Sequence, residues 1–230
     1  QIFRRLKGLE DIITITLSDI PRTRSWAYTE GIGRDLEPID GKFELHQAYI
    51  SAVPDYSGRV TVPTLWDKKE WTLVNNESAD IIRMLNTEFA EWGDNSIDYY
   101  PEDLRPEIDR INEIIYANVN NGVYRTGFAK SQESYETGFG NLFKCLDEMD
   151  ELLGERRYLC GNRITEADWR FYVTLVRFDA AYYGNFKCNR QHIYEYANIS
   201  NYLRELYQWP GVAEITDIEG IKSGYYRIGA

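Results

Sequence analysis

Asn75 and Asn76 supply capping chemistry, and Glu77 and Ser78 after them open a segment in which Ile81, Ile82 and Leu85 recur at helical spacing, so an acid and a hydroxyl stand together at the start of a helix. The unpaired backbone N–H groups and the positive dipole end of such a start attract a carboxylate or phosphate. Glu77 beside them suits a cationic amine. A carboxylate socket paired with an amine acceptor fits the α-amino-acid end of a peptide. Just upstream, Val62 precedes Pro63 between β-branched residues, a place where proline is tolerated at a sheet edge or as a cis bond. An edge strand there would pair with an extended peptide through main-chain hydrogen bonds. An ordinary hairpin followed by a capped helix explains the same spacing, and spacing alone does not separate the two.

Other chemistry is harder to place. Cys145, Cys160 and Cys188 are the only thiols. Cys145 lies in a helical apolar stripe, Cys160 precedes Gly161, and Cys188 follows Lys187, whose charge would lower a thiol pKa. None stands at a helix start after a strand, so none is expected to be the nucleophile. His46 and His192 are far apart and show no ligand spacing, so no metal site is expected.

Composition narrows the partners. The net charge is −11, which argues against nucleic acid and anionic membranes and leaves a small ligand as the natural partner. No apolar run reaches membrane-spanning length, and no membrane partner is expected. The odd cysteine count and the lack of a secretory signal suit a reducing compartment, so cytoplasmic residence is expected. The 18 tyrosines and 6 tryptophans serve cores and planar ligands alike, so their placement matters more than their number.

The positioning elements are legible in order. Gln1 to Leu9 reads as helix, Asp11 to Leu17 as a β-branched strand and Glu44 to Ser51 as helix. Thr61–Trp66 and Trp71–Val74 then form a hairpin around the polar turn Asp67 to Glu70, which runs into the helix at Ser78. This is an α+β thioredoxin-like order without its first strand and the loop after it. The stretch from Ala90 to Glu102 is polar and reads as a linker. Beyond it, Leu104, Ile108, Ile111, Ile115 and Val119 form one helical stripe, and Phe139, Leu142, Phe143, Leu146, Met149 and Leu153 another. An all-α second domain is therefore predicted, with boundaries at 1–92 and 100–230. Thr165 and Asp168 form a capping box with Ile164 and Trp169 placed as a staple, which is folding machinery.

Val62-Pro63, Leu65-Trp66-Asp67 and Val74-Asn75-Asn76-Glu77-Ser78 with Ile81-Ile82-Arg83 resemble the glutathione-binding half of the glutathionyl-hydroquinone reductases, the Xi-class, omega-like glutathione transferases. Asn120-Asn121-Gly122-Val123-Tyr124 with Gly127-Phe128-Ala129, Tyr158-Leu159-Cys160-Gly161 with Thr165-Glu166-Ala167-Asp168, Arg177-Phe178-Asp179, and Phe186-Lys187-Cys188-Asn189 carry the resemblance from Arg4 to Tyr226. It implies the two-domain glutathione transferase fold, glutathione as co-substrate, aromatic quinol conjugates as the second partner, and a homodimer. It also implies that Trp26 stands near the cysteinyl end of glutathione and Arg59 near its glycyl carboxylate, and that Val62, Glu77 and Ser78 complete the tripeptide site. Tyr124, Tyr182 and Tyr225 match positions that line the quinol pocket, with Tyr226 an adjacent possibility. The family's Cys-Pro-Trp-Ala loop, which holds the nucleophile, would fall just before Gln1. Gly220 and Gly224 stand where relatives carry two histidines, and the family's longer tail has no counterpart before Ala230. A conjugating transferase and a non-catalytic glutathione or aromatic-ligand binding module stay open beside the reductase.

Overall fold

Ile2, Phe3 and Leu6 place one apolar face on α1 (Ile2–Leu6), which is shorter than the predicted helix because Gly8 takes the left-handed conformation at φ +61. The Gly8 N–H then donates to the Arg5 carbonyl and the Leu9 N–H to the Arg4 carbonyl, closing the helix end and turning Leu9 into the core. The computed structural model describes residues 1–18, 26–28 and 43–226. Asp11 to Leu17 does not form the predicted strand: Ile12, Ile15 and Leu17 are exposed, and the segment pairs with no strand among the described residues. β-branched residues favour extended backbone, but a neighbouring ladder makes a strand, and local sequence does not supply one.

β1 (Ala27–Tyr28) and β2 (Phe43–Glu44) pair antiparallel, with Ala27 opposite Glu44 and Tyr28 opposite Phe43. α2 (Leu45–Ala52) follows directly, its start tied by the Glu44 N–H donating to Gln47 Oε1 at 2.8 Å. Tyr28, Leu45 and Tyr49 form a small core against which Trp26, Tyr56, Val60 and Leu73 pack. The predicted hairpin is present as β3 (Leu65–Asp67) and β4 (Thr72–Asn75). Asp67 Oδ1 shapes its turn by accepting the N–H groups of Lys69 at 2.7 Å and Glu70 at 2.9 Å. α3 (Ser78–Thr87) then buries Ile81 and Leu85 on its inner face.

The polar stretch after α3 is docked onto the core. Tyr99 is buried, edge-on to Phe3 and Trp169 at 5.4 and 6.5 Å between ring centres, and its N–H donates to Asn86 Oδ1. The remainder is helical: α4 (Arg105–Ile115), a π turn at Tyr116–Asn120, α5 (Gly122–Gly127), α6 (Gln132–Glu155), α7 (Glu166–Arg177), a second π turn at Phe178–Tyr182, α8 (Tyr183–Asn185), α9 (Ala197–Tyr207) and α10 (Ile218–Tyr226). Ile108, Ile111, Ile115 and Val119 from one predicted stripe and Leu142, Phe143, Leu146 and Met149 from the other are all buried in one core. Among the described residues no helix is long and apolar enough to cross a membrane.

α7 is the central helix, buried on most of its circumference through Ala167, Trp169, Phe171, Tyr172 and Leu175. Its capping box forms as predicted. The fully buried Asp168 accepts the Thr165 N–H at 2.7 Å, the Leu159 N–H at 3.0 Å and the Tyr202 hydroxyl at 2.8 Å. Burial pushes this carboxyl above its ordinary pKa against the pull of those donors.

Candidate active site

Two helical runs face each other beside α3, and each is interrupted by a π turn. Tyr116, Asn120 and Tyr124 recur every fourth residue along α4, its π turn and α5, which stacks them on one face. On α7, Arg170, Val173, Thr174 and Arg177 share a face at i, i+3, i+4 and i+7. The extra residue in a π turn rotates the downstream residues by about 100° relative to an unbroken helix, which re-aims their side chains. The facing sides line a cleft of about 390 Å³ that Ser78, Tyr182 and Tyr225 also border. Asn120 ties the two walls together, its Nδ2 donating to the Arg170 carbonyl at 2.9 Å and to Thr174 Oγ1 at 2.6 Å.

The three tyrosines singled out from the sequence converge here. The Tyr225 hydroxyl is 2.7 Å from that of Tyr124 and 2.8 Å from that of Tyr182, and the Tyr124 and Tyr182 hydroxyls are 3.5 Å apart. Burial pushes the phenols of Tyr182 and Tyr225 well above the usual tyrosine range, and charge developing on neighbouring phenols would push them further. Both therefore stay protonated at neutral pH and serve as O–H donors. Phe186 backs the group with ring centres 5.3 Å from Tyr124, 5.2 Å from Tyr182 and 5.7 Å from Tyr225. Gly127 permits this approach, since a Cβ there would lie 2.5 Å from Phe186 Cγ. A cluster of donor hydroxyls against an aromatic wall suits a planar diol, whose oxygens it would bind and whose phenolate it would stabilise.

Of the tripeptide-side candidates, Ser78 borders the cleft, whereas Trp26, Arg59, Val62 and Glu77 lie outside its lining. Glu77, not either asparagine, is the N-cap of α3: its Oε1 accepts the Ala79 N–H at 3.2 Å, while Asn75 Oδ1 accepts the Glu77 N–H at 2.7 Å. The Glu77 carboxylate thus satisfies one of the helix-start donors itself. Val62 is exposed and joined to Pro63 by a cis peptide bond. Tyr49 positions that loop against the start of α3, its hydroxyl donating to the Thr61 carbonyl and accepting from Asn76 Nδ2, both at 3.0 Å. Arg59 is exposed, and its carbonyl accepts the Tyr56 hydroxyl. Trp26 is half-buried on the Tyr28, Leu45 and Tyr49 cluster.

All three cysteines are buried. Burial pushes their thiols up to about 12 for Cys145, about 11 for Cys160 and about 12 for Cys188, so none is a thiolate at neutral pH. Among the described residues, no group of three or more histidine, cysteine or acidic side chains is arranged to hold a metal ion. Arg170, Thr174 and Arg177 were not predicted as cleft residues, although their spacing marks one helical face. The signal was there in the periodicity, but the same spacing describes any solvated stripe.

Comparison with known proteins agrees with this architecture. The glutathione S-transferase N-terminal domain family matches residues 1–88, and the C-terminal domain family matches residues 132–205. Glutathionyl-hydroquinone reductase YqjG of Escherichia coli (strain K12) is 45% identical over 98% of this chain and 70% of its own length. Glutathionyl-hydroquinone reductase PcpF of Sphingobium chlorophenolicum is 46% identical over 98% of this chain and 72% of its own. The glutathione-bound structure of the Escherichia coli protein superposes with a TM-score of 0.91 at 44% identity, covering 99% of this chain and 75% of that one. A Xi-class glutathione transferase from Natrialba magadii gives a TM-score of 0.89 at 44% identity, covering 98% and 71%. The chain is an enzyme of the glutathione transferase family, and within it belongs to the Xi-class group of glutathionyl-hydroquinone reductases.

Proposed function

We propose that this protein removes glutathione from glutathionyl-hydroquinones. The observation that carries the reading is the meeting of Tyr124, Tyr182 and Tyr225 in a cleft that Ser78 also borders, which sets donors for a diol beside the start of α3. Glu77, Ser78, Val62, Trp26 and Arg59 hold the tripeptide in this reading, and the tyrosines hold the quinol. A cysteine thiolate attacks the glutathione sulfur, and a cysteine–glutathione disulfide forms as the sulfur–ring bond breaks. The electron pair passes to the ring and its oxygens, where the tyrosine hydroxyls stabilise it, and a proton taken up by the ring completes the hydroquinone. A second glutathione then attacks the mixed disulfide, releasing glutathione disulfide and regenerating the thiolate. Cys145, Cys160 and Cys188 are buried, and by family resemblance the role falls to the cysteine of the Cys-Pro-Trp-Ala loop. A homodimer in the cytoplasm completes the reading.

The deciding assay supplies a glutathionyl-hydroquinone and excess glutathione to the purified protein. Hydroquinone and glutathione disulfide should appear in equal amounts, with little conjugation of a chlorinated nitrobenzene. Ready conjugation without release of hydroquinone would overturn the reading in favour of a conjugating transferase.

A further inference from the structure

Acidic side chains outnumber basic ones by 37 to 26, and half of the described arginines are held by one of these acids. Arg83, Arg110, Arg156, Arg157, Arg163 and Arg190 each hold a carboxylate. Arg170 and Arg177 border the cleft, and among the described residues neither has an acidic group within ion-pair distance. An arginine left without an acid in so acidic a chain, on the wall of a cavity, is a position for an anionic ligand group.

The two arginines serve different ends of the cleft. They are seven residues apart on α7, about 10 Å along its axis. Arg170 lies towards α3, where the charges of Glu166 and Glu77 act on it. Arg177 lies towards the tyrosines, where its charge acts on Tyr225. One of its N–H groups donates to the Val173 carbonyl at 2.6 Å, which anchors the guanidinium on its own helix and leaves the rest of the donor fork for a ligand. The tripeptide candidate that borders the cleft, Ser78, is at the Arg170 end.

We propose that Arg177 makes the cleft selective for aromatic diols that carry a carboxylate on the ring, its guanidinium taking the carboxylate while the tyrosine hydroxyls take the diol oxygens. The substrate class rests on the reductase reading, but binding of the free diol does not require turnover. The test compares dissociation constants of 2,5-dihydroxybenzoate and 1,4-dihydroxybenzene, measured calorimetrically on the whole protein at low salt, for the unaltered protein, R177Q and R177K. The unaltered protein should bind the carboxylated diol about tenfold more tightly, with the preference shrinking as salt is raised. R177Q should abolish the preference and R177K should keep part of it. A ratio near one in the unaltered protein, or a preference that survives in R177Q, overturns the proposal. Preference for the carboxylated diol without release of hydroquinone from glutathionyl conjugates would sink the reductase reading alone. Release of hydroquinone with no such preference would sink this inference alone.

Discussion

The guanidinium of Arg83 on α3 grips the buried carboxylate of Glu166 on α7, with its Nη2 2.9 Å from Oε1 and its Nε 3.2 Å from both oxygens. Asn112 Nδ2 donates to the same carboxylate at 2.8 Å, and Arg83 also reaches Asp109 at 2.6 Å. This contact joins α3, whose first residue Ser78 borders the cleft, to the helix that carries the cleft's two arginines. Arg83→Ala would strand Glu166 with Asn112 as its remaining side-chain partner, and a buried charge without its counter-ion is costly. The expected loss is about 3 kcal/mol in urea unfolding, at the low end of the usual range because Arg83 is partly solvated. A loss under about 0.5 kcal/mol, the range of ordinary surface changes, would show that the contact is not structural.

Tyr225→Phe keeps the ring and removes the hydroxyl that bridges Tyr124 and Tyr182. Turnover of a glutathionyl-hydroquinone should fall by about 10²-fold, the scale for losing one donor to a developing oxyanion. An unaltered rate would take Tyr225 out of the mechanism.

The tyrosine cluster also predicts a pH response. The folded-state pKa values of Tyr182 and Tyr225 are raised above the ordinary value of 10.0. Between that value and the raised ones the folded protein holds more protons than the unfolded chain, so the stability they contribute is complete below about pH 10 and is lost as pH rises further. Tyrosinate absorbance should therefore show exposed tyrosines titrating first. In Y182F and Y225F the late, unfolding-linked step should shrink while the early step is unchanged. Loss from the early step would mean that these phenols are not shielded.

Glu77 has two roles to separate. As N-cap it satisfies the Ala79 N–H, and by charge it is the candidate for the glutathione amine. Glu77→Gln keeps a capping oxygen and removes the charge, so folding stability should change by no more than about 0.5 kcal/mol. Glutathione affinity should drop about tenfold by calorimetry, the worth of one exposed charge-assisted bond. Unchanged affinity would leave Glu77 with capping alone.

Features governed by residues close in the chain were legible before any fold was known. The hairpin at Leu65–Asn75, the helix opening at Ser78, the buried stripes through Ile108 and Leu142, and the Thr165–Asp168 box all depend on short-range periodicity, turn chemistry and capping. Asp11 to Leu17 misled the reading because strand formation needs a ladder from elsewhere. The N-cap moved from the asparagines to Glu77 because the hairpin register, which closes Leu65 onto Asn75, leaves Asn75 to orient the turn below it. Resemblance picked out Tyr124, Tyr182 and Tyr225 individually, yet separations of 58, 43 and 101 residues gave no hint that their hydroxyls touch. The sequence by itself thus determined which residues cap, turn and bury, because those choices are settled within a few residues of chain. Tertiary structure alone decided which of them share a cleft, because that depends on how α5, α7 and α10 pack and on the π turns that re-aim the side chains beyond them.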